Sequence, residues 1–157
     1  MPGTPDPNPM PEKPVTLLAF DFGTGQIGVA VGQSLTGSAN PLAVLKARDG
    51  IPNWEQIAGL LAEWQPDQLL VGLPLNMDGS ESAFCQRARK FARRLNGRFG
   101  LKVAMVDERL STFEAKGQSK NHALRRTGSY MQSPVDDLAA VIILNTWLSD
   151  PSLAQAP

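Results

Sequence analysis

The sequence predicts an α/β fold in which helices cover a mixed β-sheet. Three short apolar strands follow one another closely near the start of the chain. Segments with helical and strand periodicity then alternate, and the last helix is almost entirely apolar. Strands close in sequence favour antiparallel hairpins, whereas alternating helices and strands favour parallel crossovers. A chain of 157 residues is long enough to bury the core of one such domain.

The first half of the predicted sheet is an antiparallel meander. Residues 16–22 form an apolar run that predicts a buried strand, and the glycine-rich residues 23–26 predict a turn. Residues 27–31 alternate apolar and small side chains, and residues 41–46 fit a short third strand. Because the connections are short, we expect three strands that pair as hairpins.

The second half alternates helices with strands. Residues 53–64 place apolar side chains at helical spacing after Asn53, a plausible N-cap. The spacing then predicts a strand over Gln68–Leu73, a helix over 81–99, a strand over 102–106 and a buried helix over 133–148. The order is three strands followed by αβαβα, with the helices packed on the sheet, which is the order of a ribonuclease H-like core.

The two ends of the chain differ in composition from this domain. Six prolines lie within residues 1–14, which we expect to be disordered because proline supplies no backbone donor. We therefore predict a domain over residues 15–149, a flexible tail over 150–157, and a mobile loop over 116–133.

Other features of the composition exclude several classes of protein. The single cysteine, Cys85, excludes an intramolecular disulfide framework and a multi-cysteine zinc site. No apolar stretch is long enough for a membrane helix, and no secretory signal is visible. We expect a soluble, cytoplasmic protein without a membrane partner.

Basic residues are concentrated in one part of a chain whose formal net charge is zero. Residues 86–126 hold 12 of the 15 lysines and arginines but 3 of the 15 aspartates and glutamates. Such asymmetry is typical of proteins with polyanionic partners, although a solvated helix face beside a basic loop has the same composition. The candidates for nucleic-acid contact are Arg87, Lys90, Arg94, Arg98, Arg109, Lys120, Arg125 and Arg126.

Three acidic residues occupy positions that structure alone does not require. Asp21 interrupts a buried strand, Glu108 follows one, and Asp136 opens the last helix. Each also has a local explanation: a turn acceptor at Asp21, an ion pair at Glu108, and a helix cap at Asp136. Asp107 and Asp137 are adjacent competitors that spacing does not exclude.

Together, these acids indicate phosphodiester chemistry. Carboxylate oxygens are hard ligands suited to Mg²⁺ or Mn²⁺, and two such ions can stabilise the attacking and leaving oxygens at a phosphate. Carboxylates brought from these positions into one cleft would be able to hold two such ions, with Asp107 and Asp137 still open as alternatives.

Four motifs resemble those of the YqgF family, also called RuvX. They are LAFDFGT with IGVAVG at residues 18–24 and 27–32, VGLPLNMDG at 71–79, DERLST at 107–112, and VD at 135–136 followed by small and apolar residues. The resemblance spans about residues 16–148. It implies a ribonuclease H-like fold and an activity described either as Holliday-junction resolution or as maturation of the 5′ end of pre-16S ribosomal RNA.

By motif match, the resemblance implies that the catalytic acids are Asp21, Glu108 and Asp136. We expect these three residues to be the ligands of two Mg²⁺ or Mn²⁺ ions as well. The chain departs from the family at two positions where many members carry a cation. Gly25 follows the Gly-Thr pair, and Pro134 precedes the Val-Asp pair. Arg125, Arg126 or Lys120 would have to replace those cations if they contact phosphate.

The sequence therefore predicts a metal-dependent nuclease that matures pre-16S ribosomal RNA. A Holliday-junction endonuclease and a non-catalytic nucleic-acid-binding module are the alternatives. The turn at residues 21–24 also resembles the phosphate loop of actin-like ATPases and sugar kinases, but those proteins need two domains and this chain has room for one. The sequence is compatible with an RNA or a DNA substrate, and with a monomer or a weak homodimer.

Overall fold

The computed structural model describes residues 14–107 and 138–157. They form a six-stranded sheet of order β4-β3-β2-β1-β5-β6 with three α-helices. The strands are β1 Thr16–Asp21, β2 Gln26–Gln33, β3 Ser38–Arg48, β4 Ile51–Pro52, β5 Gln68–Leu73 and β6 Lys102–Asp107. The helices are α1 Trp54–Trp64, α2 Ala83–Phe99 and α3 Leu138–Ser149. The predicted mixed sheet covered by helices is confirmed; the predicted loop over 116–133 and nearly all of the proline-rich tail lie outside the described residues.

Strand β1 is central and pairs in both senses. It runs antiparallel to β2, with Thr16 opposite Gln33, and parallel to β5, with Leu17 opposite Gln68. Strand β6 then lies parallel to β5. The antiparallel meander predicted for the first three strands is confirmed. The chain then crosses over through α1 to β5 and through α2 to β6, which makes these strands parallel to β1.

The third strand is longer than predicted and ends in a hairpin that periodicity did not reveal. Asp49 and Gly50 both have positive φ, 49° and 80°, as a two-residue type I′ turn requires. The turn leads into β4, which pairs Ile51 with Arg48. An Asp-Gly pair is a strong hairpin signal, but a strand of two residues has no periodicity to detect.

The sheet separates two apolar cores. Helices α1 and α2 cover one face, which we call the α2 face, where Phe20, Met105 and Phe91 are buried. Helix α3 covers the other face, the α3 face, where Leu17, Leu144 and Trp147 are buried. Side chains alternate between the two faces along each strand, so neighbours in sequence serve different cores.

The helix boundaries agree with local capping chemistry. The Asn53 side chain accepts a hydrogen bond from the Glu55 amide at 2.9 Å, as expected of the N-cap of α1. Helix α2 begins at Ala83, two residues later than predicted, and ends at Phe99. Its C-cap is Gly100, whose φ of 68° suits glycine. No helix within residues 14–107 and 138–157 combines the length and apolarity that crossing a bilayer requires.

Residues after α3 contact the edge of the sheet. A short 3-10 helix, Pro151–Leu153, leads to Gln155, which exchanges two backbone hydrogen bonds with Met105 of β6 at 2.7 and 2.9 Å. Arg89 of α2 donates a hydrogen bond to the carbonyl of Ala156 at 3.1 Å. Part of the β6 edge is therefore covered by the chain itself. This leaves fewer unpaired backbone groups at that edge with which another strand could pair.

Candidate active site

Two carboxylates lie at the carboxyl edge of the parallel strands. Asp21 is the last residue of β1 and Asp107 the last of β6, with β5 between them. Carboxyl ends of parallel strands meet at one edge of a sheet, where ligands of open α/β sheets bind. The sheet therefore brings the ends of two distant segments to the same edge.

The two carboxylates point to opposite faces of the sheet. Asp21 follows the alternation of Leu17 and Ala19 and lies on the α3 face. Asp107 follows Val103 and Met105 and lies on the α2 face. Asp107 consequently does not share a site with Asp21, a distinction that spacing alone left open.

Glycines flank Asp21 on both neighbouring strands. Asp21 is paired with Gly28 of β2, and the register of Phe20 with Val71 places it level with Gly72 of β5. Residues level with one another on adjacent strands share a face, so neither β2 nor β5 places a side chain directly beside the carboxylate. Within the sheet, the half-buried Asp21 is therefore flanked by backbone on both sides of the α3 face.

The turn after Asp21 is tight and tied to the β3–β4 hairpin. A Cβ atom at Gly23 would lie 2.5 Å from the carbonyl oxygen of Gln26, so only glycine fits. The Gly50 amide donates to the Thr24 carbonyl at 2.9 Å, and the Ala47 amide donates to the Gly25 carbonyl at 3.0 Å. At Gly25 itself a Cβ atom would meet nothing within 4 Å. Position 25 thus has room for a longer side chain.

The loop after β5 lies at the same edge and is ordered by its own polar groups. Asp78 accepts hydrogen bonds from the Ser80 amide at 2.9 Å and from the Ser80 hydroxyl at 2.6 Å. Asn76 donates to the Ser80 hydroxyl at 3.0 Å. The Cys85 thiol donates to the Pro74 carbonyl at 3.1 Å, which ties the loop to α2. The sequence assigned Asn76 and Asp78 to a motif without giving their contacts, and Ser80 and Cys85 lie beyond that motif.

The structure places one member of the predicted acidic triplet, Asp21. Glu108, Asp136 and the competitor Asp137 lie within 108–137, outside the described residues, as do Arg109, Lys120, Arg125 and Arg126. In the part of the chain that is described, no three His, Cys, Asp or Glu side chains come together as a metal site.

The cations of α2 have distinct surroundings. Arg87, Lys90 and Arg94 line one cavity of about 220 Å³, which we call the α2 pocket. The guanidinium of Arg98 stacks over the ring of Trp54 at 4.3 Å from its centroid. Arg89, on another side of the helix, forms a bidentate ion pair with Glu81, at 2.8 and 2.9 Å.

This ion pair shifts the pKa values of both of its members. The hydrogen bond from Arg89 holds the pKa of the Glu81 carboxyl below its usual value. The same hydrogen bond raises the pKa of the Arg89 guanidinium. Arg89 is thereby committed to Glu81 and to the end of the chain, which separates it from the cations of the α2 pocket.

Sequence reasoning missed the residues that face these cations across the pocket. Arg87 donates from Nη2 to the Asp49 carboxylate at 2.9 Å and to the Asp49 carbonyl at 2.7 Å. Gly50, Ile51 and Trp54 also line the cavity. The Asp-Gly turn signal identifies the hairpin, but its position against α2 depends on tertiary packing.

Comparisons with known proteins agree with the motifs. The family model described as "RuvX: Holliday junction resolvase" matches residues 15–150. A Marinobacter nauticus protein is 59% identical over 131 residues, which are 83% of this chain and 90% of the relative. A Pseudomonas putida protein is 58% identical over 132 residues, which are 84% of this chain and 93% of the relative. Both relatives are named "Putative pre-16S rRNA nuclease".

A solved structure has the same fold. The structure of Thermus thermophilus RuvC superposes with a TM-score of 0.50 at 15% identity and covers 89% of this chain and 98% of its own. At this identity the similarity concerns the fold alone. The predicted ribonuclease H-like fold class is confirmed.

Proposed function

Because this chain belongs to the RuvX family and is a nuclease, we propose that it cleaves pre-16S ribosomal RNA to mature the 5′ end. The choice of pre-16S ribosomal RNA as the substrate is supported by the relatives of 58 and 59% identity that are named "Putative pre-16S rRNA nuclease". The observation in the structure that carries the chemistry is the position of Asp21. It ends the central strand at the carboxyl edge, between two glycines on the α3 face.

We assign the catalytic and metal-ligating roles to Asp21, Glu108 and Asp136. Since Asp107 faces away from Asp21, the role at the end of β6 falls to its neighbour Glu108. Asp136 is assigned by its motif, immediately before the segment that forms α3. The three carboxylates would be hard oxygen donors for two Mg²⁺ or Mn²⁺ ions.

The strands on either side of Asp21 fit this role. Gly28 and Gly72 place no side chain between the Asp21 carboxylate and an ion or a phosphate that approaches along the sheet. Bound divalent ions would supply charge stabilisation at the phosphate and lower the pKa of a bound water. Asp21 itself orients the site, because it ends the central strand of the sheet, whose residues 17–20 are fully buried.

The basic residues would bind the phosphate backbone. On α2 these are Arg87, Lys90, Arg94 and Arg98, and in the segment beyond β6 they are Arg109, Lys120, Arg125 and Arg126. Cations that neutralise phosphates release counterions, so binding falls steeply with salt. Ribosomal RNA as the substrate also implies a cytoplasmic location.

A Holliday junction is the second candidate substrate, favoured by the printed description of the family. Symmetric cleavage of two strands needs two active sites related by a two-fold axis, and therefore a homodimer. Trimming of one ribosomal RNA strand is compatible with a monomer. The two substrates thus make different demands on assembly.

Depletion of the protein in a bacterium that encodes it, followed by mapping of 16S 5′ ends, tests the proposal. We expect extended 5′ ends to accumulate and to disappear when the wild-type gene is restored. The purified protein should cleave pre-16S RNA with Mg²⁺ or Mn²⁺ and stop in excess chelator. Unchanged 5′ ends on depletion would contradict the ribosomal RNA role, and preferential cleavage of a four-way DNA junction would support the second candidate.

A further inference from the structure

The α2 pocket lies on the opposite face of the sheet from Asp21 but begins at the next residue. Phe22, which follows Asp21, forms one wall from the α2 face. Helix α2 contributes Arg87, Lys90 and Arg94, and the region after the β3–β4 turn contributes Ile51 and Trp54. The pocket is therefore close to the proposed active site along the chain, yet separated from it by the sheet.

We propose that the α2 pocket binds one sugar-phosphate unit of the substrate strand, away from the bond that is cleaved. This inference rests on the proposed function. The strand would pass from Asp21 around the carboxyl edge, across the turn at residues 23–25, and into the pocket. The turn has small residues there, and a Cβ atom at Gly25 would meet open space.

Charge favours an anion in this pocket. Three cations line it together with one acid, Asp49. That acid is engaged by Arg87 at 2.9 Å, in a contact that also reaches the Asp49 carbonyl. Of the ion pairs within the described parts of the chain, one holds Arg87 and the other holds Arg89, so Lys90 and Arg94 take part in neither. Lys90 and Arg94 are therefore the cations that we assign to the phosphate.

Size and shape favour part of a nucleotide. A volume of about 220 Å³ is below the ~300–1,000 Å³ of pockets that enclose drug-sized ligands. It suits a phosphate with its sugar. Ile51, whose exposed fraction is 52%, offers an apolar surface beside the cations, as the carbon atoms of a sugar require.

The rim of the pocket is preformed. Gly50 has φ of 80°, and a Cβ atom there would lie 2.9 Å from Cζ of Phe22 and 3.1 Å from Nη2 of Arg87. The turn therefore sits directly against the pocket wall, and Arg87 fixes it from the other side. A rigid rim lowers the entropy lost when a ligand binds.

Single neutral phosphates in the substrate test the proposal. A series of pre-16S oligonucleotides would each carry one methylphosphonate, and KM would be measured for the wild type and for Lys90→Gln/Arg94→Gln. Both side chains are exposed, so the fold should survive. For the wild type, neutralising one phosphate away from the cleaved bond should raise KM about tenfold. In the double variant that penalty should disappear.

Arg93→Gln is the matched control, because Arg93 is an exposed cation of the same helix that does not line the pocket. It should keep the wild-type profile along the oligonucleotide. An identical profile in the double variant and the wild type would overturn the pocket assignment while leaving the proposed function intact. Failure of the wild type to cleave pre-16S RNA would instead contradict the proposed function.

The same series distinguishes two sources of the phosphate. Substrates would be compared with a 5′-phosphate and with a 5′-hydroxyl end. If the sensitive group is the 5′-phosphate, the pocket holds the end of the strand; if it is internal, the pocket holds a phosphodiester within the strand. Either result supports a phosphate subsite, provided that Lys90→Gln/Arg94→Gln abolishes the sensitivity.

Discussion

At the scale of single residues, Asp21 is distinguished by the glycines that stand level with it on both neighbouring strands. Its neighbours across the sheet are Gly28 and the level position Gly72. Sequence reasoning singled out Asp21 because it interrupts an apolar strand. The glycines beside it and the opposite orientation of Asp107 depend on register, which spacing does not encode.

Asp21→Asn is expected to lower the rate of cleavage at least ~10³-fold, because it keeps the shape but removes a ligand charge worth several kcal/mol at the reacting phosphate. The measurement is kcat on a pre-16S oligonucleotide in Mg²⁺, with circular dichroism to verify the fold. Asp107→Asn is the control, since that carboxylate lies on the other face. Equal losses in the two variants would contradict the assignment.

Gly25→Lys should strengthen substrate binding. The position has open space and follows the turn that adjoins Asp21. A cation there would adjoin the turn that follows Asp21, and it would add about one phosphate contact. The salt dependence of binding should steepen by roughly 0.7–0.9 in the slope of log K against log salt. Gly25→Gln, of similar length without charge, should leave the slope unchanged; a slope unaffected by lysine would place the strand elsewhere.

At the scale of elements, the boundaries of β5 and α1 follow from periodicity and capping, and the prediction was nearly residue-accurate. The β3–β4 hairpin was missed because its second strand has two residues. The same hairpin forms the rim of the α2 pocket, so the missed element is also the one that shapes the candidate subsite. Its turn depends on backbone conformation more than on apolar pattern.

Gly50→Ala should destabilise the protein by at least ~1 kcal/mol, because a left-handed backbone costs an L-residue ~1–2 kcal/mol and the new Cβ atom would press on Phe22. Gly59→Ala is the matched substitution in an exposed position of α1, where nothing lies within 4 Å. It should stabilise by ~0.5–1 kcal/mol, the helix preference of alanine over glycine. Urea unfolding measures both; stabilisation by Gly50→Ala would contradict the type I′ turn.

At the scale of the whole molecule, the ion pair of Arg89 with Glu81 connects α2 to the residues that cover β6. Arg89 contacts the Ala156 carbonyl while it holds Glu81. The sequence predicted residues 150–157 as a flexible tail and gave no sign of these contacts, because a backbone pairing with Met105 needs no particular side chain. Mobility of that segment stays a prediction.

The pH dependence of stability should reveal this connection. Since the pKa of Glu81 is lowered in the folded state, its contribution is complete above its ordinary value of 4.5 and is lost as pH falls through the lowered value. Glu81→Gln should therefore be less stable than the wild type at pH 7, and the difference should close under acid conditions. The control is Glu63→Gln, on the exposed side of α1. Its difference from the wild type in free energy of unfolding should not close in the same way between pH 7 and acid conditions.

The central position of β1 also has a kinetic consequence. Its pairing with β2 joins residues close in sequence, such as Thr16 and Gln33, whereas its pairing with β5 joins Leu17 to Gln68. Closing the longer loop costs more entropy, so the meander is expected to form before the parallel half docks. Substitutions in the β1–β2 hairpin should then mainly slow refolding. Truncations of buried side chains in α3, such as Leu144→Ala, should mainly accelerate unfolding, as stopped-flow measurements in urea would show.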